Sequence, residues 1–259
     1  MKIKFIQLLV FLHFTFLSFV SFCQDIKNNP ASELKRCVIF SGSAALCIPQ
    51  YDLAKDYGTI GEIGASILYQ NKTRWLIGLD FGYLFGNTVK KDPIANLRNE
   101  DGNVIGNNGS YATFKIFQRG FLFPLIKFGK TIALVKSPKY NTLGGLTVLA
   151  GAGWIQHRTY IQDLSKKTPQ FSKDYIDGYD RLASGVGFGA WVGYIYLPVK
   201  SKLNFHLEGG YFVASTQTRR HDFSTNTASG IKRTDGLIQI RLKICFTVKS
   251  KAEEEFYYY

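Results

Sequence analysis

Residues 237–248 read LIQIRLKICFTV. Successive side chains of an extended strand point to opposite faces. That rule places Ile238, Ile240, Leu242, Ile244, Phe246 and Val248 on one side, with Gln239, Arg241, Lys243, Cys245 and Thr247 on the other. The same period of two returns upstream. From Thr73 the odd positions are Thr73, Trp75, Ile77, Leu79, Phe81, Tyr83 and Phe85, and the even ones include Arg74, Asp80 and three glycines. Leu203, Phe205, Leu207, Tyr211 and Val213 oppose Asn204, His206 and Glu208. The stretches 144–154 and 182–196 set apolar residues against glycine, and weaker alternation runs at 37–48, 58–69 and 112–128. The sum is eight strands.

The connections between them are unequal. Strands two and three are joined by Gln70-Asn71-Lys72 and strands six and seven by Pro198 to Lys202, whereas about 25, 22 and 18 residues join strands three to four, five to six and seven to eight. Long links thus gather at one end of the sheet and short ones at the other, the pattern of an up-and-down barrel.

Alternation alone does not separate a water-soluble barrel, oily inside, from a membrane barrel, oily outside. The less apolar face decides. Solvent-facing strand positions favour Lys, Glu, Thr and Ser, yet here that face carries Gly78, Gly82, Gly145, Gly151, Gly153, Gly185, Gly187, Gly189 and Gly193. Glycine suits the cramped interior of an eight-stranded barrel, so the apolar face points outward, to lipid. Trp75, Tyr83, Phe85, Trp154, Tyr194 and Tyr196 fall near strand ends, where amphipathic rings form aromatic girdles at the membrane boundary. A one-residue slip would turn Arg74, Asp80, Glu208, Arg241 and Lys243 to hydrocarbon. Each cation at the midplane would cost about 2–4 kcal/mol, so the register is pinned.

The chain begins MKIKFIQLLVFLHFTFLSFVSFCQD. Lys2 and Lys4, an apolar run to Val20, and Ser21 and Cys23 before Gln24 make residues 1–23 a secretory signal peptide. An acylated Cys23 is disfavoured by the bulky Phe22 before it. Residues 24–36 then form a periplasmic segment, 37–248 the barrel and 249–259 a tail. Removing Lys2 and Lys4 lowers the net charge from +13 to +11. A basic exported protein meets anionic lipid rather than nucleic acid. Cys37, Cys47 and Cys245 have no zinc-site spacing and are too few for a disulfide framework, so neither metal nor cofactor is expected.

On these features the chain resembles the small eight-stranded outer-membrane barrels of Gram-negative bacteria, the OmpX-like and OmpW-like proteins. The likeness covers 37–248 and includes a last strand whose alternate hydrophobes end in Phe246, similar to the signal read by the barrel-assembly machinery. The chain departs from that pattern by continuing through Glu253, Glu254, Glu255 and three tyrosines. The resemblance implies an architecture and an outer-membrane location, with lipopolysaccharide and the assembly machinery as partners, but no activity.

Glu62, Arg74, Asp80, Lys115, Arg119, His206, Glu208, Arg241 and Lys243 are expected to face inward. They could line a solute path, but opposed charges in a narrow barrel pair and plug it, and the plug is the stronger reading. Arg219 and Arg220 are candidate contacts for lipopolysaccharide phosphates. His221 and Ser224 loosely resemble the His and Ser of barrel enzymes that modify lipid A, with no orienting acid assignable. Lys72, Lys127, Lys130, Lys136, Lys139, Lys200 and Lys202 are expected at the periplasmic turns. Cys37 and Cys245, on strands that meet if the barrel closes, could bridge the seam. The acidic, aromatic tail could dock a periplasmic protein. The expected function is a non-enzymatic structural or interaction role at the cell envelope; a narrow channel and a lipid A-modifying enzyme are the alternatives.

Overall fold

The computed structural model describes residues 36–133, 144–165, 168–171, 175–197 and 204–249. The signal segment, Lys136, Lys139, Lys200, Lys202 and the tail from Ser250 lie outside these residues. Eight strands follow in order: β1 (Cys37–Gln50), β2 (Ile60–Gln70), β3 (Trp75–Gly86), β4 (Phe114–Ile132), β5 (Gly145–Asp163), β6 (Ala183–Tyr196), β7 (Asn204–Thr218) and β8 (Lys232–Lys249). Each pairs antiparallel with the next, and β1 closes on β8, giving a closed up-and-down ring. Closure leaves no sheet edge, so every strand finds ladder partners on both sides.

The polarity of the wall is that of a membrane barrel. Along β8, Phe246 is 64% exposed while Lys243 is 0% exposed and Arg241 1%. The oily residues face out and the cations face in. On β3 the residues from Trp75 to Phe85 at odd positions face out, and Leu76, Asp80 and Leu84 face in. In water, so continuous an apolar surface would be a large unfavourable exposure; in hydrocarbon it is the matched solvent, so the ring is a transmembrane barrel.

Two departures from simple alternation position the interior. In β4 the register against both neighbours shifts around Phe123 and Pro124, a bulge at which two successive residues face outward. Proline has no N–H for the ladder and is tolerated at such a bulge. The bulge reverses inside and outside: Gln118, Gly120 and Leu122 point inward before it, Leu125 and Lys127 after it. The interior glycines also make room for one large side chain. A Cβ on Gly210 would sit 2.1 Å from Trp191 Cδ1, and one on Gly189 would sit 2.5 Å from Trp191 Cη2, so the indole lies flat across both.

At the end bearing the long loops a short helix, α1 (Tyr51–Asp56), joins β1 to β2. Leu53 of α1 is fully buried in a cluster with Ile60, Phe212 and Leu237, so the helix closes that mouth. Around it the loops carry their own apolar cluster, in which Ile94 and Val104 pack with Ile161, Phe171 and Tyr179. Strands β4 and β5 reach 19 residues each, well beyond the ten or so that about 25 Å of apolar band requires. Their outer ends stand above the ring as a ladder on which the loops rest.

Candidate functional site

Facing strand positions stack the barrel interior into layers. Across β7 and β8, Asn204 pairs with Cys245, His206 with Lys243, Glu208 with Arg241, Gly210 with Gln239 and Phe212 with Leu237. The lowest layer, near the short turns, is apolar: Cys37, Ile39, Leu68, Ile195, Leu197 and Cys245 form one buried cluster.

Above it lies a fully buried charge network. Arg241 donates through Nη2 to Glu62 Oε1 at 2.7 Å, and through Nη1 to Glu208 Oε1 at 2.8 Å and Asp80 Oδ2 at 3.0 Å. Lys127 Nζ donates to Glu208 Oε1 at 2.8 Å and lies 2.9 Å from Asp80 Oδ2. Lys243 Nζ reaches Asp80 Oδ2 at 2.9 Å and approaches Glu208 at 3.4 Å. Three cations thus face three carboxylates, and the layer is neutral. His206 Nε2 bonds the Thr147 hydroxyl at 2.9 Å at its edge. Gln239 ties the network upward: its amide donates to Glu62 Oε2 at 2.8 Å, and its Oε1 accepts from Trp191 Nε1 at 3.0 Å. The Lys127 ammonium also sits 4.1 Å from the Trp191 ring centroid, within cation–π range. Trp191, Leu149, Leu125 and Leu84 roof the charges with a second apolar layer. Salt bridges thus lie between two oily layers inside the bore, beneath a helix seated in the mouth.

Of the expected interior residues, Glu62, Asp80, His206, Glu208, Arg241 and Lys243 meet in this network. Three do not. Lys115 and Arg119 lie before the β4 bulge, on the outer face, where Arg119 stacks 3.9 Å over the ring centroid of Tyr160. Carrying one parity through all of β4 produced that error. Arg74 is in the β2–β3 turn with φ +65 and donates to the Gly144 carbonyl at 3.2 Å, so it belongs to the short-turn rim. Conversely Lys127, expected at a periplasmic turn, is 0% exposed inside the barrel because the strand runs on past it to Ile132. The signal was present: Lys127 stands between Ile126 and Phe128 in a renewed alternation that starts after Pro124.

The expected girdle residues face outward in two rims. Trp75, Tyr194 and Tyr196 lie toward the short turns; Trp75 stacks on Phe128 at 5.0 Å and Tyr196 on Phe205 at 5.1 Å. Tyr83, Phe85 and Trp154 lie toward the long loops, with Tyr83 against Phe121 at 5.4 Å. Cys37 faces Lys249 across the seam whereas Cys245 faces Ser41, an offset of four residues, and both are thiols. Four residues span about 13 Å, far beyond disulfide reach, so the seam is not bridged.

The loop end holds a cleft of about 290 Å³ lined by α1, Lys91, Arg181 and the chain around β7 and β8. Six cations, Lys55, Lys91, Arg181, Arg220, Lys232 and Arg233, line it with three acids, Asp52, Asp56 and Asp222. Arg233 bridges Asp56 of α1 at 2.6 Å to Asp235 at 3.4 Å. Asp235 in turn accepts from the Thr216 hydroxyl and lies 2.8 Å from His157 Nε2. Tyr57, after α1, packs edge-on to His157 and bonds the Thr159 hydroxyl at 3.0 Å. These contacts lock the helix into the mouth.

Arg220 pairs with Asp177 at 2.8 Å and with Asp180, so it serves the loop packing rather than the lipid side. Burial pushes the Asp180 carboxyl above its ordinary value despite that guanidinium. Ser224 donates to Asp222 at 2.6 Å and accepts from Arg181 at 2.7 Å, while the His221 ring rests against Phe223 at 5.6 Å. The serine oxygen is therefore committed to an acid and an arginine, and His221 is not its base in this arrangement. Among the described residues no three His, Cys, Asp or Glu side chains converge on a metal-sized site.

No family model matches the chain, and no curated protein matches it in sequence. Among solved structures it is similar to the Neisserial surface protein A, at 12% identity over 80% of this chain and 96% of that one, with a TM-score of 0.35. It is similar also to Ail, the attachment invasion locus protein of Yersinia pestis, at 9% identity over 82% and 99%, TM-score 0.38. The outer membrane protein OprG of Pseudomonas aeruginosa is a third, at 13% identity over 86% and 98%, TM-score 0.31. These are small outer-membrane barrels. The fold assigned to this chain rests on its own closed ring of eight strands and on the polarity of that ring.

Proposed function

We propose that this chain is a non-conducting, non-enzymatic barrel of the outer membrane of a Gram-negative bacterium, exported by a cleaved signal and inserted by the barrel-assembly machinery. It acts as a surface or envelope protein, presenting its loop platform and periplasmic rim to a macromolecular partner. The single observation that carries this reading is the content of the bore: three cations and three carboxylates paired with one another between two apolar clusters. A dedicated pore keeps a hydrated path with charge of one sign, and here cations and carboxylates of both signs pair with one another. With nothing passing through, the surfaces left to act are those outside the bore. One is the loop platform, in whose cleft five of the six cations are paired with aspartates and the Lys232 ammonium is left to meet a partner with acidic groups.

Planar-bilayer recording on the refolded full chain tests the proposal. The expected result is a silent bilayer at physiological salt. Steady openings that respond to a particular solute would overturn it in favour of a narrow channel.

A further inference from the structure

The outer wall formed by β5 to β8 changes character along two adjacent rows. Trp154, Val186, Ser215 and Thr234 are side-by-side partners in one outward row, and Gln156, Ser184, Gln217 and Lys232 form the next row toward the loops. Below the first row the outward side chains are apolar, Phe188 among them at 67% exposure; above the second stands Arg219. The edge of the hydrocarbon therefore crosses the wall here, and the two rows enclose an outward-opening groove of about 270 Å³ lined by Trp154, Ser184, Ser215, Gln217, Arg219 and Lys232.

The charges in this groove differ from those elsewhere at the loop end. Arg181, Arg220 and Arg233 are each matched with aspartate. Arg219 is held by neutral groups: its Nε donates to Ser184 Oγ at 2.7 Å, its Nη2 to the Ser184 carbonyl at 3.3 Å, and its guanidinium lies 5.5 Å from the Trp154 ring centroid. None of the ion pairs among the described residues includes Arg219 or Lys232. A guanidinium fixed by a serine and an indole, beside an exposed ammonium and two further polar side chains, is a preorganised receptor for a multiply charged oxyanion. Its place at the hydrocarbon edge requires that the anion arrive on a molecule whose remainder is apolar. Beneath the groove Ala150, Ala152 and Ala190 leave the wall low beside the projecting Phe188, a surface on which an acyl chain can lie.

We propose that this groove binds the phosphate of a phosphorylated glycolipid in the leaflet next to the loops, with Arg219 and Lys232 as the phosphate ligands and Trp154 as the platform at the sugar level. The site uses the outer wall alone, so it is independent of whether the bore conducts.

Native mass spectrometry of the full-length folded barrel tests this, with diphosphoryl lipid A as the probe and a zwitterionic phosphatidylcholine of similar chain length as the comparison. The wild-type protein is expected to retain lipid A in preference to phosphatidylcholine. The double variant Arg219→Gln with Lys232→Gln is expected to bind lipid A at least 10-fold more weakly. Lys115→Gln, which removes a cation from the outer face of β4, is expected to bind as wild type does. Inorganic phosphate at millimolar concentration is expected not to displace the lipid, since it lacks the acyl chains; displacement would show a headgroup-only anion site and overturn the lipid assignment. Equal retention by the double variant, or an equal loss in Lys115→Gln, would refute the groove itself. The gel shift between heated and unheated samples verifies that each variant is folded before it is compared.

Discussion

Removing the guanidinium at the centre of the bore tests whether the charge layer is a closed electrostatic unit. Arg241 makes three contacts of 2.7–3.0 Å with Glu62, Glu208 and Asp80. Arg241→Met keeps much of the side-chain volume but leaves three carboxylates against Lys127 and Lys243. Lys127 and Lys243 already serve Asp80 and Glu208, so Glu62 loses its cation and keeps only the Gln239 amide and the Cys47 thiol. Leaving one partner of a buried pair uncompensated costs about 3–5 kcal/mol. At roughly 2–3 kcal/mol per molar urea, that lowers the unfolding midpoint by about 1–2.5 M. Urea titration of the protein in lipid vesicles, followed by tryptophan fluorescence and by heat-modifiable mobility, gives the shift. The decisive companion is Arg241→Met with Glu62→Gln, which restores equal numbers of cations and anions and is expected to recover more than half of the loss. If the single variant unfolds within 0.3 M of wild type, or the charge-matched double is no better than the single, the closed-unit reasoning fails.

Deleting Pro124 removes one of the two outward residues of the β4 bulge and forces Lys127 toward lipid, at about 2–4 kcal/mol near the midplane; refolding yield into vesicles should collapse, whereas Pro124→Ala, which keeps the residue count, should fold. Gly210→Ala drives a methyl into Trp191 and should destabilise by about 1–3 kcal/mol, while Gly209→Ala, whose Cβ would have no neighbour closer than 4.0 Å, should be silent in the same urea titration. Burial raises the Asp222 carboxyl, but the Ser224 hydroxyl and N–H together with Arg181 outweigh it and hold it below its ordinary value of 3.8. A depressed acid stabilises the fold above its unfolded value and loses that contribution as pH falls through its folded one. The 219–231 loop should thus stay protease-resistant at about pH 4 and open to pepsin progressively as the pH falls below 3.8 and through the depressed Asp222 value. His221→Ala should leave the mass of lipid A from expressing cells unchanged, because Ser224 is bonded to Asp222 and Arg181 rather than to that imidazole.

How far the sequence could be read depends on what broke its period. Along β3, β7 and β8 no residue interrupts the alternation, and there Asp80, His206, Glu208, Arg241 and Lys243 all stand where the period of two puts them. In β4 one additional residue at Phe123–Pro124 inverts the parity before it, so Lys115 and Arg119 face outward rather than inward, while Lys127 lies inside the barrel and not at a turn because the strand runs on to Ile132, beyond the 128 at which its alternation is read to end. Proline inside a strand is itself the mark of a bulge, so the parity could have been restarted there. Longer-range partnerships carry no comparable mark. That Asp80 meets Arg241 across 161 residues, or that Arg233 ties α1 into the mouth through Asp56, follows from the closure of the ring and from strand stagger, which no local pattern encodes. The α1 helix was missed for a similar reason: six residues between two strands are too few to show helical periodicity.

The chain disposes of its charge in two different ways, and the difference bears on function. Inside the ring each cation has a carboxylate within 3 Å, with apolar layers above and below, so this charge ties the strands of the wall together. At the loop end the arginines of the cleft are spent on aspartates that fasten loops and α1, while Arg219 and Lys232, on the outer wall, pair with no acid among the described residues. A basic chain of this kind could have been a pore lined with positive charge. Because the cations of the bore are paired with carboxylates there, the surplus positive charge of the chain lies outside the bore, where under the proposed role it meets lipid phosphates and the surfaces of other macromolecules.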